Sequence, residues 1–305
     1  MFTQWCIAIP FVLHFALSEF CGLHTESKIS SGGEATIGQF PWLALLESKR
    51  RNGSKYFNCG GVLISKRYVL TGAGCVTKRL TGVRLGEHDT ATDPDCVKTA
   101  FRDDCAPPPI DIPVEDTVVH EGFDKANPNL YDNIALLRLK QEVTINGEAA
   151  SLCGLRWTLI RCVVDYIMPI CLPTEDGELS KSYVGERLAV SGWGFTENMA
   201  NSVVKLKGQL PGRNHSYCED MYRKHNFNLT LKDSQLCAGG ERGNDSCKGN
   251  AGAPLMVLRP GQHGSQWYVV GLFSFGPQPC NMENWGDVYT RVSKYVTWIK
   301  SKLRS

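Results

Sequence analysis

Residues 237–256 read CAGGERGNDSCKGNAGAPLM, a glycine-rich stretch with a cysteine at its start and another in its middle. Gly249, Gly252 and Pro254 allow a sharp backbone turn, and Cys247 can anchor that turn through a disulfide. A loop built in this way can aim consecutive backbone N–H groups at a single point. The stretch therefore predicts a rigid, cysteine-anchored loop around which a site can form.

The composition bounds the class of protein. The chain has 305 residues, enough for one all-β domain of about 200–250 residues or for two small domains. Its net charge of +2 implies no polyanion as a partner. Thirteen cysteines are typical of a secreted chain rather than of a cytosolic one. We therefore expect a secreted, extracellular protein whose fold is braced by disulfides.

The N-terminus indicates the same compartment. The run from Trp5 to Leu17 is mostly apolar and too short to span a bilayer, which is typical of a secretory signal. A buried strand or helix is the alternative interpretation. We predict a signal peptide at 1–18, a short N-terminal peptide at 19–28 and one domain at 29–305. Removal of Cys6 with the signal leaves an even number of cysteines.

The loop at 237–256 resembles the nucleophile loop of the chymotrypsin-like (trypsin-like) serine proteases, whose usual form is DSCxGDSGGPL. The matching residues are Asp245, Ser246, Cys247, Gly249, Gly252, Pro254 and Leu255. Ala251 stands where that family carries its nucleophilic serine. The resemblance extends over about Cys21 to Leu303 and includes the stretch Leu188 to Gly194, which ends in SGWG.

Two further motifs of the family are present in altered form. Thr71-Gly72-Ala73-Gly74-Cys75 corresponds to TAAHC and has Gly74 in place of the histidine that acts as general base. Asn133 begins a strand that resembles DIALLRL and replaces the family's catalytic aspartate. Asp132 is one residue away, so its side chain should face the other side of the strand unless a bulge redirects it. The resemblance thus leaves the three catalytic roles without a hydroxyl, an imidazole or a carboxylate.

The resemblance implies an all-β fold of two packed, antiparallel, six-stranded Greek-key barrels with a C-terminal α-helix. The stretch from Tyr56 to Cys75 alternates apolar and polar residues and predicts two strands. Near the C-terminus, one helical face carries Val292, Tyr295, Val296, Ile299 and Leu303. We expect this helix to dock on the second barrel.

By the same resemblance, Lys28-Ile29 is an activation cleavage site that frees an Ile amine. Asn250 replaces the aspartate that should receive this amine, and an amide cannot form the charge-assisted pair. An ordinary exposed lysine is the alternative. The backbone N–H groups of Gly249 and Ala251 correspond to the oxyanion hole, the donors that stabilise negative charge during acyl transfer.

The specificity pocket is partly kept. Asp245 matches the acid at the base of a trypsin-type pocket, and Ser274 and Gly276 match its substrate edge. Asp287 stands where relatives carry glycine on the pocket wall, so its side chain should fill the slot. We expect weak or absent binding of basic side chains.

The resemblance pairs most of the cysteines. The implied disulfides are Cys21–Cys171, Cys59–Cys75, Cys96–Cys105, Cys218–Cys237 and Cys247–Cys280. A sixth pair, Cys153–Cys162, is predicted from the two cysteines of one insert rather than from the resemblance. The pair Cys153–Cys162 lies in an insert at 146–164, for which two interpretations stay open: a disulfide-closed surface hairpin, or translated intron sequence.

Two kinds of surface site are predicted. Glu87 resembles the start of a calcium-binding loop, and calcium prefers oxygen ligands; a solvated acidic loop is the alternative. No other cofactor is implied. Asn52, Asn214 and Asn228 begin N-glycosylation sequons, and a fourth sequon at Asn244 abuts the pocket.

Three functions are compatible with these features. The first is a secreted, inactive serine protease homologue of the arthropod clip-domain type, with no clip domain evident. Such a protein would bind other secreted proteases, their substrates or inhibitors in a cascade of immunity and melanisation, or in venom. The second is a serine endopeptidase of trypsin-like specificity that uses substituted residues, and the third is a paralogue without function. No nucleic-acid partner and no membrane span are expected.

Overall fold

The structure is a computed structural model of the whole chain. The residues it describes are 21–23, 32–98, 103–145, 166–194, 202–241, 251–261, 264–277 and 284–304. The predicted signal peptide, the junction at Lys28-Ile29 and the insert at 146–164 lie outside these ranges. No helix among the described residues has the length and apolar character needed to cross a membrane.

The described residues form fifteen strands and three α-helices. The strands are β1 (Gly33–Glu34), β2 (Leu43–Lys49), β3 (Lys55–Ser65), β4 (Tyr68–Thr71), β5 (Leu80–Leu85), β6 (Cys96–Lys98), β7 (Asp103–Cys105), β8 (Ile110–Val119), β9 (Ala135–Leu139), β10 (Arg187–Gly192), β11 (Leu206–Arg213), β12 (Gln235–Gly239), β13 (Pro254–Gly261), β14 (Gly264–Phe275) and β15 (Gly286–Arg291). The helices are α1 (Asp176–Leu179), α2 (His215–Lys224) and α3 (Val296–Lys302).

The strands close into two antiparallel barrels. The first has the order β2-β3-β4-β9-β8-β5. The second has the order β11-β10-β13-β14-β15-β12 and is closed by pairing of β11 with β12, while β1 adds to the outer edge of β11. Closure removes the free strand edges that otherwise invite aggregation. The predicted fold of two six-stranded barrels is confirmed.

The two barrels share a continuous apolar core. Trp42 is fully buried, and the Trp267 ring lies 6.4 Å from it, centroid to centroid. Phe40 packs edge-on against both indoles. Met256 accepts a hydrogen bond at 3.0 Å from Trp42 Nε1, so this indole nitrogen is not left unpaired in the core. Such a core fixes the barrels relative to each other and hence the cleft between them.

The C-terminal helix forms as predicted and contacts both barrels. The apolar face is buried at Val296 and Ile299. Its polar contacts, however, are with the first half of the chain: Trp298 Nε1 donates to Glu121 Oε2 at 2.9 Å, and the Arg304 N–H donates to Tyr68 Oη at 2.9 Å. Ile299 also lies in one apolar cluster with Trp267 and Val269 of β14, as expected for a helix that docks on the second barrel. The Trp298 indole and the C-terminal backbone additionally reach residues of the first barrel.

Four of the six predicted disulfides lie in the described residues, and all four are formed. They are Cys21–Cys171, Cys59–Cys75, Cys96–Cys105 and Cys218–Cys237. Cys153–Cys162 and Cys247–Cys280 lie outside these residues. The Cys59–Cys75 bridge closes a loop of about 15 residues, which corresponds to roughly 3 kcal/mol of stabilisation in the chain-entropy account.

The N-terminal peptide is attached to the second barrel by more than its disulfide. Gly22 N donates to Pro169 O, and Trp267 N donates to Gly22 O, both at 2.8 Å. Gly22 has φ of 63°, and a Cβ there would lie 2.3 Å from Trp267 O. Only glycine allows this close backbone approach.

Candidate functional site

The fold brings the three substituted positions together. Gly74 N donates a hydrogen bond to Asn133 Oδ1 at 2.9 Å. The backbone O of Ala251 accepts from Gly60 N at 2.8 Å and lies 3.4 Å from Cys75 Sγ, beside Gly74. The three residues that match the family's catalytic positions therefore lie close together in the structure. None of the three residues supplies a nucleophilic or titratable side chain.

Asn133 uses both ends of its amide at this site. It is buried, and its Nδ2 donates to Ser274 Oγ at 2.8 Å while its Oδ1 accepts from Gly74. Its backbone O accepts from Thr290 Oγ1 at 2.8 Å. The side chain is thus fixed between the two barrels. An amide held in this way orients its neighbours, but it supplies no negative charge.

Asp132 does not replace the missing acid. Its backbone has φ of 56°, and its Oδ1 accepts from the hydroxyl of Tyr295 at 2.6 Å. Burial raises the pKa of Tyr295, and the bond to Asp132 raises it further, so this phenol stays a donor. The possibility that a bulge turns Asp132 toward Gly74 is therefore wrong.

The histidines within the described residues are bound elsewhere. The His120 ring meets the Tyr295 ring edge-on, with 5.1 Å between the ring centroids, and its Nδ1 accepts from Gly122 N. His215 contacts Gln235 O at 3.0 Å, and His225 packs on Trp285 at 4.5 Å. Burial lowers the pKa of His88, whose backbone O accepts from the Trp193 indole at 2.9 Å. His14, His24 and His263 lie outside the described residues.

The turn after Ala251 is confined by the first barrel. Gly252 has φ of 79°, and a Cβ on it would lie 2.4 Å from Thr71 Oγ1 and 2.5 Å from Gly60 O. Only a glycine fits where this turn passes under the first barrel. The turn at Ala251-Gly252 is thus held in place by contacts with the first barrel.

Asp287 lies against Gly276, one of the residues of the predicted substrate edge. It is 1% exposed, and its Oδ1 is only 2.0 Å from where a Cβ on Gly276 would stand. The carboxylate therefore packs directly on the substrate edge that follows Ser274. Burial raises the pKa of the neighbouring Tyr222 hydroxyl, and the charge of Asp287 raises it further. Asp245 and Gly249, which the resemblance assigns to this region, lie outside the described residues.

The surroundings of Glu87 do not fit calcium. The side chain is 2% exposed, Oε2 accepts from Arg84 at 3.1 Å, and Oε1 accepts from His88 N at 2.9 Å. Calcium takes six to eight oxygen ligands. Within the described part of the chain, no group of three His, Cys, Asp or Glu residues could hold a metal ion. Both carboxylate oxygens are occupied by protein donors, and burial raises the pKa of Glu87.

A lysine supplies positive charge inside the same region. Lys205 is 4% exposed, and its Nζ donates to Gln39 O at 3.0 Å and lies 5.3 Å from the centre of the Trp193 ring. Burial lowers the pKa of Lys205 to about 8, against the opposing charges of Glu87 and Asp95. Lys205, which directly precedes strand β11, therefore places a positive charge near Glu87 and Asp95 of the predicted calcium loop.

The buried lysine predicts a stability that depends on pH. The unfolded chain holds the Lys205 proton up to its ordinary pKa of 10.5, so between pH 8 and that value it binds more protons than the folded chain. As the pH is raised from 8 to 10.5, the free energy of unfolding should therefore increase by about 3 kcal/mol, at about 1.4 kcal/mol per pKa unit. Urea unfolding of wild type and Lys205→Met at each pH measures it. The difference between the two proteins should change with pH, and parallel profiles would contradict the prediction.

Comparison with known proteins identifies the family. The sequence model of the family described as Trypsin matches residues 29–299. The chain belongs to the trypsin family. Serine protease ea of Drosophila melanogaster is 40% identical over 293 residues, covering 93% of this chain and 70% of that protein. Phenoloxidase-activating factor 3 of Holotrichia diomphalia is 39% identical, covering 93% of this chain and 75% of that protein.

The similar proteins also include arthropod clip proteases. Spaetzle-processing enzyme of Drosophila melanogaster is 39% identical over 94% of this chain and 69% of that protein. The crystal structure of the Drosophila Grass clip serine protease of the Toll pathway superposes with a TM-score of 0.77 at 33% identity, covering 94% of this chain and 75% of that one. Mouse neuropsin superposes with a TM-score of 0.65 at 24% identity, which bears on the fold alone.

The remaining predicted sites of this trypsin-family chain are the glycosylation sequons and the cleavage junction. Asn52 and Asn228 are exposed, whereas the Asn214 side chain accepts from Tyr217 N at 3.0 Å and caps helix α2. Asn244 and the Lys28-Ile29 junction lie outside the described residues. Sequence reasoning missed the bond from Asn133 to Ser274, which joins residues 141 apart, and it missed the buried Lys205.

Proposed function

We propose that this trypsin-family chain is a catalytically inactive homologue that acts by binding proteins in an extracellular proteolytic cascade. The observation that carries the proposal is the meeting of Gly74, Asn133 and Ala251 at one place. Serine-protease catalysis needs a hydroxyl to attack, an imidazole to take its proton and a carboxylate to orient that ring. Each of these three positions holds a residue that cannot perform its role.

The magnitude of the loss decides against residual catalysis. In another serine protease with the same triad, removing the serine or the histidine alone costs on the order of 10⁶ in kcat. Covalent acyl transfer also requires a nucleophile, and the methyl group of Ala251 provides none. Backbone N–H groups alone can stabilise charge, but they cannot form an acyl intermediate.

The names of the relatives support the setting of the proposal. They include Spaetzle-processing enzyme, Melanization protease 1 and Phenoloxidase-activating factor 3. A secreted cofactor or decoy in arthropod immunity or melanisation would retain the binding surface of these proteases but not their catalytic activity. Its partners would be secreted proteases, their substrates or their inhibitors. Venom is a second setting in which such a protein would act by the same binding.

A pull-down from arthropod haemolymph tests the proposal. The bait is the full chain, either intact or cleaved after Lys28, and active trypsin modified by a phosphonate is the control. We expect the chain to capture proteases or protease substrates that the control does not retain. Absence of any specific capture by both forms, combined with cleavage of peptides by the purified chain, would overturn the proposal in favour of an active protease.

A further inference from the structure

One part of the chain carries an unbalanced charge. Residues 48–86 contain nine of the 33 Lys and Arg residues and none of the 31 acids. The rest of the chain consequently carries a net charge of −7, although the whole is nearly neutral. This segment covers β3, β4 and β5 of the first barrel. A concentration of one charge sign on one side of a protein creates a field that attracts the opposite sign.

Acids from other segments neutralise part of this charge. Lys55 pairs with Glu47 at 2.5 Å, and Arg84 pairs with Asp111 at 2.7 Å and with Glu87 at 3.1 Å. These cations lie on strands, where neighbouring strands supply the acids. They are therefore not available to a partner.

Five cations have no such acid within the described residues. They are Lys49, Arg50, Arg51, Lys78 and Arg79, all exposed; this group is the basic surface. It comprises the tip of the β2–β3 hairpin and the loop before β5. Lys49 N donates to Arg79 O at 2.9 Å, which ties the two loops together. Arg50 is further held over the Tyr56 ring at 4.6 Å.

Both loops lead directly into the substituted catalytic site. Gly74 precedes Lys78 by four residues, so at most about 14 Å of extended chain separates them. On the other side, β3 runs from the hairpin to Gly60, whose N–H bonds Ala251. The basic surface therefore borders the same cleft, and a polypeptide that crosses this cleft can reach it.

We propose that the basic surface docks an acidic segment of a partner protein that enters the cleft. This rests on the proposed protein-binding function and names the chemistry of the partner. Three of the five cations are arginines, whose planar fork binds carboxylates with two parallel hydrogen bonds. Complementary charge at the rim of an interface accelerates association and makes it sensitive to salt. The surface spans only two loop tips, which suits a short acidic segment better than an extended polyanion.

The sequon at Asn52 lies inside the basic surface. Asn52 is exposed, and its Oδ1 accepts from Ser54 N at 3.1 Å and from Ser54 Oγ at 2.8 Å. A glycan attached there would stand between Arg51 and Lys55 and would shield the cations. The experiment therefore uses protein with Asn52→Gln as the common background.

The test measures binding of a fluorescent ten-residue peptide of alternating Glu and Gly by anisotropy at several salt concentrations. The docking variant is Arg50→Glu/Arg51→Glu/Arg79→Glu. The matched control reverses three other exposed cations, Lys125→Glu/Lys224→Glu/Lys300→Glu, and has the same net charge. We expect at least tenfold weaker binding in the docking variant, less than twofold change in the control, and weaker binding of all proteins at high salt. Circular dichroism and thermal unfolding confirm that each variant is folded.

Three results would overturn the proposal: no binding of the peptide by the parent protein, equal loss in the control, or tighter binding of a heparin fragment of equal charge. The last result would assign the surface to a sulfated glycan. Peptide cleavage by the parent protein bears on the proposed function instead. Failure of the docking proposal and failure of the inactive-homologue proposal can thus be told apart.

Discussion

A variant with Gly74→His, Asn133→Asp, Asn250→Asp and Ala251→Ser is expected to react covalently with a fluorophosphonate that leaves the wild type unlabelled. The geometry supports this gain. A Cβ on Gly74 stands 3.8 Å from Asn133 Oδ1, an ordinary contact, so a histidine can begin there without a clash. Aspartate at 133 keeps the acceptor for Gly74 N and can accept from the Ser274 hydroxyl instead of donating to it.

The control for this variant differs at one position only. It carries Gly74→His, Asn133→Asp and Asn250→Asp but keeps Ala251, so it has a base and an acid without a nucleophile. After cleavage at Lys28, labelling is measured by intact-protein mass spectrometry. We expect at least a thousandfold higher labelling rate in the four-residue variant, since a complete triad contributes on the order of 10⁶ in kcat. Equal labelling of the control would show that another residue reacts.

Asp287→Gly is expected to bind benzamidine at least tenfold more tightly than the wild type. The Asp287 carboxylate packs on Gly276, and we expect it to occupy space that a flat cation would need. Removing this side chain opens the slot, while Asp245, which the resemblance places at its base, supplies the attraction for an amidinium group. Isothermal calorimetry measures the dissociation constants. Micromolar binding of benzamidine by the wild type would refute the claim that the pocket is closed.

Asp287→Asn separates steric filling from charge. The amide has nearly the same volume as the carboxylate, so this variant should bind benzamidine as poorly as the wild type. If Asp287→Asn bound as tightly as Asp287→Gly, the negative charge or its hydrogen bonds would be responsible instead of the volume. Thermal unfolding of both variants checks that strand β15 is retained.

The sequence predicted the two-barrel architecture because several of its motifs resemble those of one family, and local patterns agree with that resemblance. The alternation in β3 and β4, the apolar face of α3 and the cysteine positions all reflect constraints that a short window carries. The vacancies at Gly74, Asn133 and Ala251 could likewise be identified from the sequence. A sequence pattern does not predict which way a side chain points when its backbone departs from regular strand geometry. Asp132, at φ of 56°, therefore had to be located in the structure.

Long-range pairings account for the remaining differences. Glu87 lies in an acid-rich stretch that suggested calcium, but its surroundings include Lys205, more than a hundred residues later in the chain. The same holds for Asn133 and Ser274. A buried charge is recognised only when its partners are known, because burial and pairing together decide whether it is tolerated. Contacts between residues far apart in the chain, such as Asn133 and Ser274, therefore become evident only from the structure.

An assay of peptide cleavage by the purified wild-type chain decides whether it is catalytically inactive. The protein, cleaved after Lys28 and homogeneous by mass spectrometry, is incubated with p-nitroanilide peptides that end in Arg or Lys, alongside trypsin as a positive control. We predict no release above the rate of the buffer alone, and no mass increase after exposure to a fluorophosphonate. Sustained release of nitroaniline that follows the protein through each purification step, and that the phosphonate abolishes, would contradict the account.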